Sequence, residues 1–267
     1  MIKLAVAGAA GRMGKIIFQL AAQDKSFKIV GGLEQRGHPA LGTDIGVLIG
    51  DDLSGVTIQQ DALSTLRNAD VLIDFSHFSA FEENLKACVA TKTALVVGTT
   101  SLTPAMVRKV KNASKKIPII QSPNMSIGVN LLFKLAAVAG AILDESYDLE
   151  ITEIHHRMKK DAPSGTALKL LEILAEARNK DVRKDVLYGR QGETGARKQG
   201  KIGVFALRGG DVVGEHTVSF LGDGERIELV HKASSREAFA KGALLAAKFL
   251  AKKRQGLYYM SNVLGMS

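Results

Sequence analysis

The first 23 residues constrain the fold more than any other part of this sequence. Residues 2–7 form a short apolar run typical of a buried strand, and residues 15–23 carry apolar side chains at helical spacing. Between them, Gly8, Gly11 and Gly14 follow the pattern Gly-x-x-Gly-x-x-Gly. Glycines at such a turn keep it tight and let the helix pack close to the strand. A strand, a glycine turn and a helix in this order predict the first βα unit of a parallel sheet.

The same turn predicts a dinucleotide site, because its glycines also let the backbone approach a pyrophosphate. Residues 27–33 are typical of the next strand, and Glu34 follows about 20 residues after Gly14, where an acid hydrogen-bonds a ribose hydroxyl. The alternative is a glycine-rich turn that binds no ligand. Because strand, helix and acid are all in place, we predict a nicotinamide dinucleotide site with contacts from Gly8, Ala9, Ala10, Gly11, Arg12, Met13, Glu34 and Gln35.

Strand and helix patterns continue to alternate through the first half of the chain. Apolar runs at residues 71–75, 94–97 and 117–121 are typical of buried strands, and helical patterns at residues 81–90 and 102–116 separate them. This alternation predicts a Rossmann-type, doubly wound parallel sheet. Such sheets bind ligands at the carboxyl ends of their strands. We therefore extend the predicted cofactor contacts to Gly98, Thr99, Thr100, Ser122, Pro123, Asn124 and Met125.

The pattern changes after an apolar helix predicted at residues 128–143. Residues 201–208, 215–221 and 225–232 alternate like strands and are linked by glycine turns, as in a sheet with mixed or antiparallel pairing. Residues 149–154 alternate in the same way. The second half is therefore predicted to be an α+β domain with a mixed sheet.

Two further segments of this half carry patterns that predict a long loop and a final helix. Residues 179–200 are polar, charged and glycine-bearing without a sustained period, which predicts a long loop. Ser234 and Glu237 have the spacing of a capping box, which predicts the start of a closing helix. Such a helix can return to the first domain.

Residues 153–167 form the best candidate for the chemistry. His155 and His156 stand at the end of a predicted strand, and Lys159 follows in the turn. Ser164 is a good N-cap for the next helix, whose first N–H groups have no internal acceptor and can bind an anion such as a carboxylate or phosphate. The alternative is a basic surface turn before an ordinary capped helix. Two imidazoles beside an anion site favour proton transfer to a bound ligand.

The charge and the cysteine content limit the kinds of ligand and metal site that this chain can have. A net charge of +9 favours acidic ligands, but the cations are scattered and there is no Trp, so small anions are favoured over nucleic acid. Cys88 is the only cysteine, which excludes an intrachain disulfide and a cysteine metal cluster, and adjacent histidines are poorly spaced for a helical metal site. We expect no metal. With no apolar run long enough for a membrane span and no signal-peptide layout, we expect a cytoplasmic protein.

The residues 153–167 resemble the signature of the 4-hydroxy-tetrahydrodipicolinate reductase (dihydrodipicolinate reductase) family, with the core His-His-x-x-Lys-x-Asp-Ala-Pro-Ser-Gly-Thr-Ala. The resemblance extends along the chain through residues 6–14, 98–100, 124–130, 214–217 and 231–235. It implies NAD(P)H-dependent reduction of (hydroxy/dihydro)dipicolinate to tetrahydrodipicolinate in lysine and diaminopimelate biosynthesis. It also implies a homotetramer built through the second domain.

The resemblance further implies roles by matching position. His155 resembles the general acid, and His156 and Lys159 resemble substrate-facing groups, with Lys159 also a proton donor. The substrate carboxylate is expected at Ser164, Gly165 and Thr166. The implied domains are a dinucleotide-binding domain at residues 1–126 and 236–267, to which the closing helix returns, and a substrate-binding and oligomerisation domain at residues 127–235.

The sequence leaves open the preference between NADH and NADPH and two rival functions. Several family members place an arginine directly after the acidic residue, whereas here Gln35 follows Glu34 and Arg36 comes one residue later. We expect use of both NADH and NADPH, leaning to NADH. Rival functions are another two-domain dehydrogenase, such as a semialdehyde or sugar dehydrogenase, and a dinucleotide-sensing regulator without turnover. The other histidines, His38, His77, His216 and His231, are expected to be structural.

Overall fold

The chain divides into two compact units in the computed structural model, which describes residues 1–100 and 102–266. Unit 1 comprises Met1–Ile127 and Arg236–Ser267, and unit 2 comprises Gly128–Ser235. In chain order the elements are β1 (Ile2–Ala7), α1 (Arg12–Gln23), β2 (Phe27–Leu33), α2 (Ile45–Ile49), β3 (Ile58–Gln59), α3 (Ala62–Leu66), β4 (Val71–Asp74), α4 (Phe78–Thr91), β5 (Ala94–Val97), α5 (Pro104–Ala113), β6 (Pro118–Gln121), α6 (Ile127–Ile142), β7 (Asp148–His155), α7 (Gly165–Ala177), β8 (Val186–Tyr188), β9 (Ile202–Arg208), β10 (Gly214–Leu221), β11 (Arg226–Ala233), α8 (Glu237–Leu250), β12 (Gly256–Tyr258) and α9 (Met260–Val263).

Unit 1 is built on a seven-stranded sheet in the order β12-β6-β5-β4-β1-β2-β3, in which every pair is parallel. Successive residues of β1 enter two different cores. Leu4 and Val6 pack with α1 and α8, whereas Ala5 and Ala7 pack with α4. A strand that is buried on both faces needs apolar residues at both parities, which explains its continuous apolar run. The predicted doubly wound parallel sheet is confirmed.

Unit 2 contains a five-stranded mixed sheet in the order β11-β10-β7-β9-β8. β10 is antiparallel to both β7 and β11, whereas β7 and β8 are parallel to β9. Alternate residues of the strands, among them Ile151 and Phe220, pack in one core with Leu170 and Leu174 of α7. The predicted mixed sheet is confirmed.

Several local predictions need correction. The segment predicted as a loop at residues 179–200 contains the strand β8. Near the end of the segment, Arg197 attaches it to β7 by donating to Asp148 Oδ1 at 2.6 Å and to Glu150 Oε1 at 3.0 Å. The capping box at Ser234 and Glu237 is wrong, because Arg236 is the N-cap of α8 and makes no side-chain cap hydrogen bond.

Helix α4 and the C-terminal strand also differ from expectation. α4 begins at Phe78 rather than residue 81, because His77 Nδ1 caps it by accepting from Ser79 N. β12 was not predicted from the sequence; it pairs parallel to β6 at the sheet edge. None of the helices in the described residues is long and apolar enough to cross a membrane.

Candidate active site

A cleft of about 810 Å³ lies in unit 1, where β1, β2 and β4 end. The glycine turn lines it with Gly8, Ala10 and Gly11, and β2 is followed there by Glu34 and Gln35. Its volume lies within the range of small-molecule and cofactor sites. The carboxyl ends of parallel strands are where open α/β sheets bind ligands. The cleft is therefore placed and sized for a nucleotide.

The glycine turn is shaped by positions at which a side chain does not fit. Gly8 has φ +75°, and a Cβ added to it would lie 2.8 Å from Phe75 O. A Cβ added to Gly14 would lie 2.2 Å from Gly8 O, so α1 packs directly against the turn. Gly11 is the N-cap of α1 and has no side chain to occupy the helix start. The first N–H groups of α1 are thus left for an anion.

Glu34 is tied to this turn by its carboxylate, since Oε1 accepts from Ala10 N at 2.9 Å. Gly8 N and Ala9 N both donate to Leu33 O, at 3.0 and 3.2 Å, so these two predicted contacts use their amides to hold the turn. Ala9 is fully buried, Arg12 is exposed, and Met13 packs partly against the core. Of the cofactor contacts predicted in the glycine turn and after β2, Ala9, Arg12 and Met13 do not line the cleft.

The remaining predicted cofactor residues follow β5 and β6 along the same sheet and do not line this cleft. Gly98 lies against the Phe75 ring, where a Cβ would be 2.5 Å from Cζ. Thr99 Oγ1 donates to the buried Asp74 carboxylate at 3.0 Å, and Thr100 is exposed.

After β6, Ser122 Oγ donates to Asn124 O at 2.7 Å, Pro123 is exposed and Met125 is buried. The sequence did not single out several cleft residues as contacts, among them His38, Gln60, Asp61 and Ser76. His77, expected to be structural, caps α4 and also lines the cleft.

The second candidate site is the histidine window of unit 2, residues 153–167. β7 ends at His155, so the regular strand stops between His155 and His156. Adjacent residues inside a strand face opposite sides, and the end of the strand removes that constraint on His156. Ser164 then caps α7 by accepting from Ala167 N at 3.2 Å. Gly165 is exposed, and a Cβ built on it meets no described atom within 4 Å, so the helix start is open.

Glu153 is the centre of the window and is fully buried. Arg208 of β9 donates to both carboxylate oxygens, at 2.9 and 2.8 Å, and Ser164 N donates to Oε1 at 3.0 Å. His155 Nδ1 is hydrogen-bonded to Oε2. Burial acts to raise the pKa of Glu153, but the hydrogen bonds from His155 and Arg208 outweigh it and lower the pKa to about 2. Glu153 is therefore ionised at neutral pH, and it joins the strand end to the helix start.

This carboxylate determines how His155 can act. An ionised carboxylate accepts only, so His155 carries its hydrogen on Nδ1, and Nε2 is the nitrogen that gains or loses a proton. Nε2 lies beside Gly214 of β10, where a Cβ would be only 2.9 Å away. His155 is 9% exposed. Its ring also meets His216 edge-on, with centroids 5.2 Å apart.

Lys159 lies in the turn between β7 and α7. Its Nζ donates to Asp161 at 2.8 and 2.9 Å, and its side chain is 20% exposed. Burial acts to raise the pKa of Asp161, but Lys159 outweighs it and the pKa is lowered. Lys159 is thus held by Asp161 in the turn that leads to α7. His156 is half-buried and Thr166 is buried.

No role was predicted for Glu153 or Arg208, and His216 was expected to be structural. Glu153 occupies the register of Leu149 and Ile151, which face the core, and a carboxylate at such a position signals a buried partner. Arg208 is brought to β7 by the pairing of His155 with Arg208 across β7 and β9. Nε2 of His216 lies 3.1 Å from Ser164 Oγ. Among the described residues, no group of three or more His, Cys, Asp or Glu side chains is arranged to hold a metal ion.

Comparison with known proteins relates both halves of the chain to one family. The family model "Dihydrodipicolinate reductase, N-terminus" matches residues 2–125, and "Dihydrodipicolinate reductase, C-terminus" matches residues 128–264. Proteins named 4-hydroxy-tetrahydrodipicolinate reductase from Anaeromyxobacter dehalogenans (strain 2CP-C) and Aquifex aeolicus (strain VF5) are 47% and 49% identical to it. The alignments cover 100% of this chain and 98% of the first relative, and 99% of both chains for the second.

A solved structure has the same fold. A dipicolinate-bound dihydrodipicolinate reductase from Paenisporosarcina sp. TG-14 aligns with a TM-score of 0.76 and 24% identity over 97% of each chain. A probable dehydrogenase from Thermotoga maritima aligns less closely, with a TM-score of 0.64 and 14% identity over 98% of this chain and 92% of that one.

Proposed function

This chain belongs to the dihydrodipicolinate reductase family, and we propose that it reduces 4-hydroxy-tetrahydrodipicolinate to tetrahydrodipicolinate in lysine and diaminopimelate biosynthesis. The matches to both family models confirm the family predicted from the sequence. Members of this family are NAD(P)H-dependent oxidoreductases, and so is this chain. The observation that carries the proposed chemistry is the ionised, buried Glu153, which holds His155 beside the open start of α7.

The overall reaction takes up one hydride and one proton and releases one water. The reduced nicotinamide supplies the hydride when it is bound. The protein must then hold a dicarboxylate, deliver a proton and assist loss of the hydroxyl. The window of unit 2 contains groups suited to each of these tasks.

We assign proton delivery to His155 as the general acid. Because Glu153 accepts from Nδ1, a protonated His155 presents its second N–H at Nε2, and the carboxylate stabilises the imidazolium. After the proton leaves, the ring stays in the tautomer that can be protonated again at the same nitrogen.

We assign Lys159 a second role as proton donor and substrate-facing cation. Its ammonium already engages one carboxylate, that of Asp161. A substrate carboxylate would compete with Asp161 for the same ammonium, and the Lys159 charge also assists loss of the hydroxyl as water.

We assign capture of a substrate carboxylate to Ser164, Gly165 and Thr166, with His156 facing the same ligand. The positive end of a helix dipole and the N–H groups of the first helical turn favour an anion at such a position. The open surroundings of Gly165 support close approach to the backbone.

In unit 1, we assign the cofactor to the glycine turn and to the residues that follow β2, β5 and β6. The exclusion of a Cβ at Gly8 and Gly14 and the volume of the adjoining cleft fit a dinucleotide. Glu34 favours NADH, because a carboxylate hydrogen-bonds ribose hydroxyls and repels a 2′-phosphate. Arg36 is exposed and lines the same cleft, where it can meet that phosphate. We therefore propose use of both cofactors with a preference for NADH.

A titration of both cofactors tests this preference. We expect NADH to bind more tightly than NADPH, and Arg36→Ala to weaken NADPH binding while leaving NADH binding unchanged. Equal or tighter NADPH binding, with no effect of Arg36→Ala, would overturn the account.

We further propose a homotetramer formed through unit 2. Thr152, Phe205, Thr217 and Val230 are aligned by cross-strand pairing on the face of the sheet opposite Ile151 and the helices. On this face Val230 of β11 and Leu207, two residues after Phe205 of β9, are exposed, at 49% and 47%. An apolar face of this kind suits self-association. Light scattering should give four chains, and Val230→Glu should give smaller species.

We place the reaction in the cytoplasm, consistent with the buried, unpaired thiol of Cys88.

The function itself is tested by NADH oxidation with the product of dihydrodipicolinate synthase as substrate. His155→Gln and Lys159→Ala should each lower kcat sharply, because each removes a proton donor, while NADH binding is retained. Unaffected turnover in both variants would sink the mechanism.

A further inference from the structure

The Ser164 hydroxyl has two hydrogen-bond neighbours in the part of the chain that the structure describes. Its oxygen accepts from Ala167 N at 3.2 Å, as expected of an N-cap, and it lies 3.1 Å from His216 Nε2. A serine hydroxyl can accept twice and donate once. Whether Ser164 keeps its own hydrogen for a ligand therefore depends on which partner donates in the bond to His216.

His216 stays neutral in this position. It is 3% exposed, and burial, followed by the neighbouring charge of His155, lowers its pKa to about 3. A neutral imidazole carries one hydrogen, on Nε2 or on Nδ1. With the hydrogen on Nε2, His216 donates to Ser164 and the serine keeps its hydrogen. With the hydrogen on Nδ1, Ser164 must donate to Nε2 and has no hydrogen left for a ligand.

The surroundings of the other ring nitrogen distinguish the two tautomers. Nδ1 of His216 is buried and has no hydrogen-bond partner among residues 1–100 and 102–266. In the Nδ1–H tautomer a donor would be buried there without an acceptor, and orphaned buried N–H groups are rarer than under-satisfied acceptors. In the Nε2–H tautomer only a lone pair is left unpaired. The buried site therefore favours the Nε2–H form.

We infer that His216 is a positioning residue that donates from Nε2 to Ser164 and so reserves the serine hydrogen for a substrate carboxylate at the start of α7. This inference rests on the proposed function, because it takes the helix start as the carboxylate site. His216 itself touches no reacting atom. Its contribution is to make Ser164 a donor rather than an acceptor towards the ligand, which an anionic ligand requires.

The tautomer can be measured without any variant. Imidazole ¹⁵N chemical shifts of the wild-type protein should identify His216 as the Nε2–H form at neutral pH, both free and with dipicolinate bound. An Nδ1–H form in the complex would overturn the inference. Neither measurement needs turnover, so a wild-type protein that fails to reduce the substrate refutes the proposed function and leaves the tautomer result standing.

A double-mutant cycle tests the consequence for binding. His216→Phe keeps a ring but removes the donor, and it should raise the dipicolinate Kd and the substrate KM roughly 10-fold, with NADH affinity unchanged. In a Ser164→Ala background, His216→Phe should have no further effect, because the hydroxyl it orients is absent. Full additivity of the two losses would refute a role through Ser164.

A conservative variant guards against a merely structural effect. His216→Gln places an amide N–H where Nε2 stood, so it should restore most of the dicarboxylate affinity lost in His216→Phe. If Gln and Phe lose the same affinity, the donor is not what matters and the inference fails. If His216→Phe does not fold, the comparison of wild type with His216→Gln and the ¹⁵N measurement decide the question.

Discussion

The glycine turn of unit 1 and the histidine window of unit 2 each lead into a helix start that we propose as an anion site, but the two helix starts are built differently. In the turn, backbone packing does the work: a Cβ on Gly14 would lie 2.2 Å from Gly8 O, and the start of α1 carries no capping side chain. In the window, the start of α7 is capped by Ser164 and fixed by the buried Glu153.

The difference predicts how each site responds to substitution. A site made of backbone tolerates changes of exposed side chains and fails when an atom is added to a glycine. A site made of buried side chains fails when one charged member of a network is neutralised, because its partners are left without compensation.

The largest effect is expected for Glu153→Gln. The substitution keeps the shape but removes the charge that Arg208, His155 and Ser164 N share. Breaking a buried charged pair on one side costs roughly 3–5 kcal/mol. We expect a loss of this size in the free energy of unfolding from denaturant titration, together with a fall in kcat because His155 loses its orienting carboxylate.

Glu150→Gln is the matched control on the same strand. Glu150 is also held by arginines, Arg190 at 2.7 Å and Arg197 at 3.0 Å, but it does not contact His155 or Ser164. It should lose stability with little change in kcat. An equal fall in kcat for both variants would show that the strand, and not the Glu153 network, supports the chemistry.

The second prediction concerns two glycines of the turn. Gly14→Ala places a Cβ 2.2 Å from Gly8 O, whereas Gly11→Ala places one 3.1 Å from the same atom. We expect Gly14→Ala to weaken NADH binding roughly 100-fold and lower Tm, since the helix must move. Gly11→Ala should weaken NADH binding with little change in Tm. Calorimetric titration and thermal unfolding measure both quantities, and equal effects of the two substitutions would contradict a site set by backbone packing.

Much of unit 1 was predictable because its signals are local. The strand, turn and helix of residues 2–23 are contiguous, and the apolar runs of the parallel strands follow from burial on both faces. β12 was missed because three residues, Gly256–Tyr258, carry too little pattern; they form a strand only through pairing with β6. The capping box failed because Ser234 and Glu237 fit a local motif that the observed N-cap, Arg236, replaces.

In the candidate site, the residues of the window could be proposed from the sequence, whereas the residues that support them could not. His155, Lys159 and Ser164 lie within ten residues of one another, where spacing carries information. Arg208 and His216 reach the window from β9 and β10 through sheet register, which no spacing along the chain reports. The one readable clue was Glu153, a carboxylate at a core-facing position of β7.

The third prediction is an acid sensitivity that His216 adds to folding. The pKa of His216 is lowered by burial to about 3 from an ordinary value of 6.5, so between these values the unfolded chain binds a proton that the folded chain does not. Stability contributed by the neutral ring is therefore lost as pH falls. From pH 6 to pH 4 this amounts to roughly 2 kcal/mol of unfolding free energy. The titratable groups that face His216, namely His155, Glu153, His231 and Lys159, are present in every variant compared.

Denaturant titrations at pH 6, 5 and 4 measure this contribution by difference. His216→Phe and His216→Gln both remove the titrating ring, so both should flatten the fall in stability by the same amount, although only Gln keeps a donor towards Ser164. Equal slopes in wild type and both variants would show that the pKa of His216 is the same in the folded and unfolded chains, so that the ring is protonated in the folded chain at pH 4 and 5. In that acid range the window would hold a buried positive charge at His216, and the hydrogen bond to Ser164 would come from an imidazolium instead of a neutral tautomer.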